Sequence, residues 1–366
     1  MMQNILFGIE TLKEALDGAS KVLIVCDSSF PYLNIKDTVE TVPIPKVFFD
    51  RFSSNPLYES VCDGVKLFNS ESCDTILAVG GGSAIDVAKC IKLYCRMSEE
   101  ELFLNQPYED SGVKLIAVPT TAGTGSESTR YAVIYFEGKK QSITHESIIP
   151  DYAILEPGVL KTLPLYQKKC TMMDALCQGI ESWWSVNSTD ESKQYSKIAV
   201  ETIFQNWREY IICNSEPAAE KIMLAANYSG RAICITQTTA PHAFSYKITS
   251  MYGLPHGHAV AVCLPEIWKH MIQYPYNCAD SRGIGYLKKV FDNIAELLGT
   301  TSPFEAVMTL NAMIDEMGLG KPYIKGDKET EIDILTSSVN PVRLRNNPIK
   351  LSTDDIRMIY SSILSH

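Results

Sequence analysis

The chain is predicted to fold as an α/β unit built on a parallel sheet, followed by an all-helical half. Three observations predict this. Short runs rich in Val, Ile and aromatic residues alternate with helical patterns through the first half. Loops rich in glycine and hydroxyls follow two of those runs, at the strand C-termini where such sheets bind nucleotides. Beyond about residue 159 the β-like runs thin out, and apolar residues recur three and four apart.

Taken in order, the strand candidates are KVLIVCD (21–27), VFFD (47–50), TILAVGGG (75–82), KLIAVPTT (114–121), YAVIYF (131–136) and YAILEP (152–157). The helical patterns LYESVCDGVKLFN and SAIDVAKCIKLYC fall between them, as βαβ crossovers require. The second half reads as long amphipathic helices: LYQKKCTMMDALCQGIESWW, ESKQYSKIAVETIFQNWREYIIC, AAEKIMLAANYSGRAICIT, GYLKKVFDNIAELLG and SPFEAVMTLNAMIDEMG. The expected domains are 1–158 and 159–366, with no repeat, linker or low-complexity tract between them.

A chain of 366 residues is too long for one ordinary core, and 45% hydrophobic with 21% charged residues is a globular composition. A net charge of -10 argues against nucleic acid or an anionic membrane as the main partner; the expected partner is a small-molecule substrate, and an anionic one would need a local basic pocket. The eleven cysteines form no CxxC pair and no disulfide pattern, so reduced thiols in the cytoplasm are expected. The N-terminal MMQNILFGIETLKEAL has no signal-peptide pattern, and no apolar run reaches the ~20 residues of a membrane span.

Gly80, Gly81 and Gly82 close an apolar strand, and Ser83 is a candidate N-cap for the helix that follows. Asp86 is placed in that helix's first turn, where an acid suits the dipole. Bare glycine backbone and a helix N-terminus together suit a pyrophosphate, although a tight strand-to-helix turn needs the same glycines. The pattern is not GxGxxG. A second loop, Pro119 to Glu127, offers Thr120, Thr121 and Thr124 to ribose, phosphate or amide. Asp27 ends the first strand, where an acid accepts ribose hydroxyls and repels a 2′-phosphate, favouring NAD(H) over NADP(H). A solvated acid at a strand end is the alternative reading of Asp27.

Asp174 and Gln178 stand four apart in a helical pattern, on one face. His242 and His256, on other helices, would complete a site for one divalent metal such as Fe2+ or Zn2+. Three protein ligands leave a position open for a substrate oxygen, which the metal would polarise. Without the upstream loops, two histidines so spaced read as structural.

Together these segments resemble the iron-containing (group III) alcohol dehydrogenase family over nearly the whole chain. The likeness rests on Asn55–Pro56, GGGSAIDVAK, PTTAGTGSE, IPDYAILEP, LPLYQKKCTMMDALCQGIES, HAFSYKITSMYGLPHGHAVAV and NNPIKLSTDDIRMIY, in register. It implies a Rossmann-like N-terminal domain and a helical C-terminal domain, a fold shared with dehydroquinate synthase, with the metal in the cleft between them. It implies reversible hydride transfer between NAD(P)H and an aldehyde or alcohol, and a homo-oligomer of two or more copies. By motif position Asn55, Gly81, Gly82, Ser83, Asp86, Thr120, Thr121 and Thr124 would serve the cofactor, while Asp174, His242 and His256 would hold the metal. Iron-type members have histidine where this chain has Gln178; the glycerol dehydrogenase branch also lacks it and uses zinc. Gln178 would then face metal, bound water or substrate. Tyr246 stands where some members carry a histidine near the nicotinamide, and reads as a weak proton relay or as an aromatic wall.

Lys247, Arg130, Arg343 and Arg345 are candidates to bind an anionic substrate, or else are ordinary surface cations. The VNPVRLRNNP stretch and Gln178 are similar to members of phosphonate metabolism such as phosphonoacetaldehyde reductases. Two other readings stand beside the dehydrogenase: a dehydroquinate synthase-like lyase using NAD transiently, and a degenerate paralogue that only binds.

Overall fold

The computed structural model describes residues 3–365, which divide into two compact units. The first comprises residues up to Leu163 together with Asn214–Gly230; the second comprises Pro164–Cys213 and Arg231 onward.

The strands of the first unit are β1 (Asn4–Phe7), β2 (Val22–Cys26), β3 (Lys46–Phe49), β4 (Thr75–Gly80), β5 (Lys114–Pro119), β6 (Tyr131–Phe136), β7 (Lys139–Thr144) and β8 (Tyr152–Leu155). Helices α1 (Leu12–Ala15), α2 (Lys36–Glu40), α3 (Tyr58–Ser70) and α4 (Gly82–Tyr94) connect them. Six strands form one parallel sheet in the order β1-β8-β5-β4-β2-β3. β2, β4 and β5 are buried almost from end to end, which is why they read as continuous apolar runs rather than alternating ones. The chain leaves β2 towards β3 and leaves β4 towards β5. The C-terminal ends of β2 and β4 therefore flank the sheet's topological switch point.

Two departures from expectation concern strands. YAVIYF (β6) lies outside the parallel sheet, pairing antiparallel with β7 through a turn at Glu137–Gly138. Lys139–Thr144 is too polar to announce itself as a strand, so the partner that makes a hairpin was not visible. Asn4–Phe7 supplies the edge strand β1, a four-residue run too short for a periodicity argument.

The second unit contains α5 (Leu165–Trp184), α6 (Asp190–Ile211), the end of α7 (Glu216–Thr236), α8 (Ala240–Tyr252), α9 (His256–Gln273), α10 (Ile284–Leu297), α11 (Pro303–Glu316), α12 (Lys328–Ser338) and α13 (Thr353–Ile363). Caps mark the starts of several: Thr189 and Ser192 form a capping box on α6, and Ser352 and Asp355 form one on α13. Trp184 and Trp268 are fully buried, with ring centroids 5.7 Å apart. No helix among the described residues is long and apolar enough to cross a membrane.

The early part of α7 belongs to the α/β unit because the Pro119–Glu127 loop packs on its backbone. Gly125, at φ +60°, lies against Gly230, and a Cβ on Gly230 would sit 2.5 Å from the Gly125 carbonyl oxygen. The Asn227 side chain donates to Ser128 Oγ (2.5 Å) and to Glu127 Oε1 (3.2 Å). We expect Gly230→Ala to destabilise the protein by about 1–3 kcal/mol through overpacking. Gly285→Ala, in open space on α10, should hold or raise Tm. Thermal denaturation compares the two, and equal Tm values would remove the close-approach argument.

Candidate active site

In the α/β unit, most of the expected cofactor residues converge at the C-terminal ends of β2, β4 and β5. The first-turn amides of α4 have no acceptor within the helix and carry its positive end. A Cβ on Gly82 would lie 3.1 Å from the Thr124 side chain, and one on Gly81 would lie 3.6 Å from Thr121. The glycine turn and the threonine loop therefore face each other. Thr120 is buried, its amide donating to the Gly80 carbonyl at 3.0 Å. Asp27 lies beside Gly80 and accepts from the amide (2.9 Å) and hydroxyl (2.5 Å) of Ser29. Asn55 is exposed, in a segment held by Tyr135 N donating to Pro56 O (2.8 Å) and Ser83 Oγ donating to Ser54 O (2.6 Å).

Two placements differ from expectation. Gly81, not Ser83, is the N-cap of α4; Ser83 lies inside the first turn and spends its hydroxyl on Ser54. Asp86 is not in the first turn. Its two carboxylate oxygens accept from Ser126 Oγ (2.6 Å) and the Val133 amide (2.9 Å). One turn on, the buried Lys89 ammonium donates to the carbonyls of Thr129 and Tyr131 at 2.7 Å. The pair stitches residues 126–133 to α4, so Asp86 supports the loop from behind. Burial raises the Asp86 pKa, although Lys89 and the two hydrogen bonds oppose this.

In the helical unit, the metal-donor candidates meet. One ligand atom from each of Asp174, His242 and His256 lies within 4.8 Å of the others. α5 presents Asp174, α8 presents His242 near its start, and α9 begins at His256. His242 Nε2 is 3.2 Å and His256 Nε2 3.9 Å from Asp174 Oδ1. Gly257 makes this possible: a Cβ there would stand 3.0 Å from Asp174 Cβ and collide with the Cys170 carbonyl of α5. Only a glycine lets α9 start so close to α5.

Glu181, seven residues after Asp174, was not anticipated, although two helical turns put it on the same face. Fully buried, it bonds His242 Nδ1 and also accepts from the Thr239 amide (2.7 Å) and hydroxyl (2.9 Å) at the start of α8. With Nδ1 turned to Glu181, Nε2 is the atom left facing Asp174. Gln178 hydrogen-bonds the Asp174 carboxylate.

Burial favours neutral forms in this cluster, yet mutual attraction wins. It would depress His242, but Glu181 and Asp174 push its pKa up to about 10. It would raise Asp174, but the two imidazoles and Gln178 hold that carboxyl below its usual range. Two buried carboxylates around one imidazole demand a positive charge, and a divalent cation in the Asp174, His242 and His256 set meets that demand. The donor set fits one metal.

Tyr246 stacks parallel to His256, with 2° between the rings and centroids 5.7 Å apart. The Arg343 guanidinium lies over the same Tyr246 ring at 5.8 Å. Arg130, in the α/β unit, is ion-paired with Glu146, and Arg345 is exposed. Lys247 is half-buried on α8.

Comparison with known proteins shows the family of the chain. Residues 3–157 match the iron-containing alcohol dehydrogenase family, and residues 169–364 match the C-terminal domain of the Fe-containing alcohol dehydrogenase family. A phosphonoacetaldehyde reductase of Streptomyces viridochromogenes is 32% identical over 312 residues, covering 81% of this chain and 78% of that protein. An iron-containing alcohol dehydrogenase from Thermococcus thioreducens superposes with a TM-score of 0.88 at 22% identity, over 99% of this chain and 98% of that one. A sulfoacetaldehyde reductase from Bifidobacterium kashiwanohense, solved with NAD+, gives a TM-score of 0.86 at 24% identity, over 99% and 96%. The chain belongs to the iron-containing alcohol dehydrogenase family and is a metal-dependent oxidoreductase acting between alcohols and aldehydes.

Proposed function

We propose that this protein reduces a small anionic aldehyde to its alcohol with NADH, using one divalent cation held by Asp174, His242 and His256. The observation that carries this reading is the meeting of those three donors within 4.8 Å, backed by a carboxylate that fixes the tautomer of His242. A cation held by Asp174, His242 and His256 would supply Lewis acidity towards a substrate carbonyl oxygen. Asp174 contributes charge, His242 and His256 contribute neutral nitrogen donors, and Gln178 steadies Asp174 through its amide. Carboxylate with two imidazoles suits Fe2+ or Zn2+. Tyr246 walls the site with its ring, parallel to His256.

In the α/β unit, the α4 amides and the bare backbone of Gly81 and Gly82 suit the pyrophosphate. Thr120, Thr121, Thr124 and Asn55 border the same mouth. Asp27, at the switch point, supports NAD(H) over NADP(H), because its carboxylate accepts ribose hydroxyls and repels a 2′-phosphate. The anionic character of the substrate is supported by the named relatives, one acting on phosphonoacetaldehyde and one on sulfoacetaldehyde. The eleven cysteines form no disulfide among the described residues, which supports a reducing compartment such as the cytoplasm.

Three outcomes follow from these roles. Asp174→Ala should lose metal on desalting and lose turnover together; elemental analysis also decides iron against zinc, and a variant with full metal and unchanged rate would refute the ligand role. Glu181→Gln should weaken metal affinity by about 10–100-fold in a chelator competition while NADH binding holds. Asp27→Ser should narrow the kcat/KM preference for NADH over NADPH, and an unaltered preference would take Asp27 off the ribose.

A further inference from the structure

We propose that Arg343 is the specificity-determining residue of this site, held in place by the Tyr246 ring. Its ligand is the oxyanion group of a short aldehyde: a phosphonate, sulfonate or carboxylate close to the carbonyl. The inference rests on the aldehyde-reductase reading above and adds the residue that selects the substrate.

The Tyr246 ring is the common neighbour of two groups that the substrate must meet. One is His256, from the donor set, parallel to the ring at 5.7 Å. The second is Arg343, whose guanidinium carbon stands 5.8 Å from the same centroid. A carbonyl directed at the donor set and an anion directed at Arg343 would therefore both lie beside one aromatic ring.

The arginine is placed, not trailing. It opens the 3-10 turn Arg343–Asn346, which is strapped at its far end. The Asn346 amide donates to Gln237 Oε1 at 2.9 Å, the Asn187 side chain donates to Asn346 Oδ1 at 3.0 Å, and the Val186 amide donates to the Asn346 carbonyl at 3.1 Å. The turn is tied both to the α5–α6 connection and to the approach to α8.

Its charge is also available. Arg130, Arg208, Arg282 and Arg357 are each ion-paired with a carboxylate. Among the described residues, no carboxylate lies within ion-pair distance of Arg343, which is half-buried. A guanidinium stacked on an aromatic face keeps its planar fork of N–H donors for a tetrahedral or planar oxyanion. Lys247 is a poorer candidate, since adjacent residues on a helix point about 100° apart and Tyr246 is the one turned to His256.

The test uses the full-length, metal-loaded protein with Arg343→Ala, Arg343→Lys and Lys247→Ala. We expect the ratio of kcat/KM for phosphonoacetaldehyde or sulfoacetaldehyde over acetaldehyde to fall at least about tenfold in Arg343→Ala, mostly through KM. Arg343→Lys should recover part of it. Calorimetric titration with phosphonoacetate should show a similar weakening in Arg343→Ala, independently of turnover. An unaltered ratio and titration in that variant, or a loss that follows Lys247→Ala instead, would overturn the assignment. If the unsubstituted enzyme oxidises NADH with no aldehyde, the reductase reading fails by itself, and the titration still decides the place of the anion.

Discussion

The helical unit is organised around two carboxylates from one face of α5 that hold a single imidazole between them. Asp174 and Glu181 are both buried, and His242 bonds each of them. Buried charge of this kind persists only when every member is matched. Glu181 is matched by His242 and by the Thr239 amide and hydroxyl, which fastens the start of α8 to α5. Asp174 is matched by both imidazoles and by Gln178. The requirement that satisfies these charges therefore also sets where two further helices begin. The close approach at Gly257 completes the arrangement, because His256 reaches Asp174 only if α9 can abut the α5 backbone.

Much of this was legible in the sequence, for identifiable reasons. β2, β4 and β5 are covered on both faces, so their apolar runs are uninterrupted and easily seen. The glycine turn and the threonine loop announce themselves by composition, and they do face each other across Gly82 and Thr124. Asp174, His242 and His256 were visible as donor types on separate helical patterns, and the fold brings them together. What stayed hidden was decided by tertiary partners. Asp86 looked like a helix-start acid, but the segment 126–133 claimed its carboxylate. Ser83 looked like a cap, but Ser54 drew its hydroxyl inward and left the cap to Gly81. Glu181 carried a readable signal, the seven-residue spacing from Asp174, but nothing local marks a glutamate as buried. Arg343 was one cation among several until its ring partner was known.

The two chemical centres are built on different principles. Around the glycine turn before α4, backbone does the shaping: missing side chains at Gly81 and Gly82, helix-end amides, and a loop packed glycine to glycine on α7. Around Asp174, His242 and His256, side chains do it, through charge matching and ring stacking. A substitution acts accordingly, by steric intrusion in the first case and by unmatched charge in the second.

The β6–β7 ribbon has a consequence of a different kind. It stands apart from the six-stranded sheet, and its outer strand, KKQSIT, is largely exposed. A bare strand edge is a template on which a second molecule can extend the sheet, the first step of aggregation. Here the edge opens with Lys139 and Lys140, both exposed, and charged side chains on an edge strand work against such pairing. The polarity that made this strand hard to recognise is also a feature that disfavours edge-to-edge pairing.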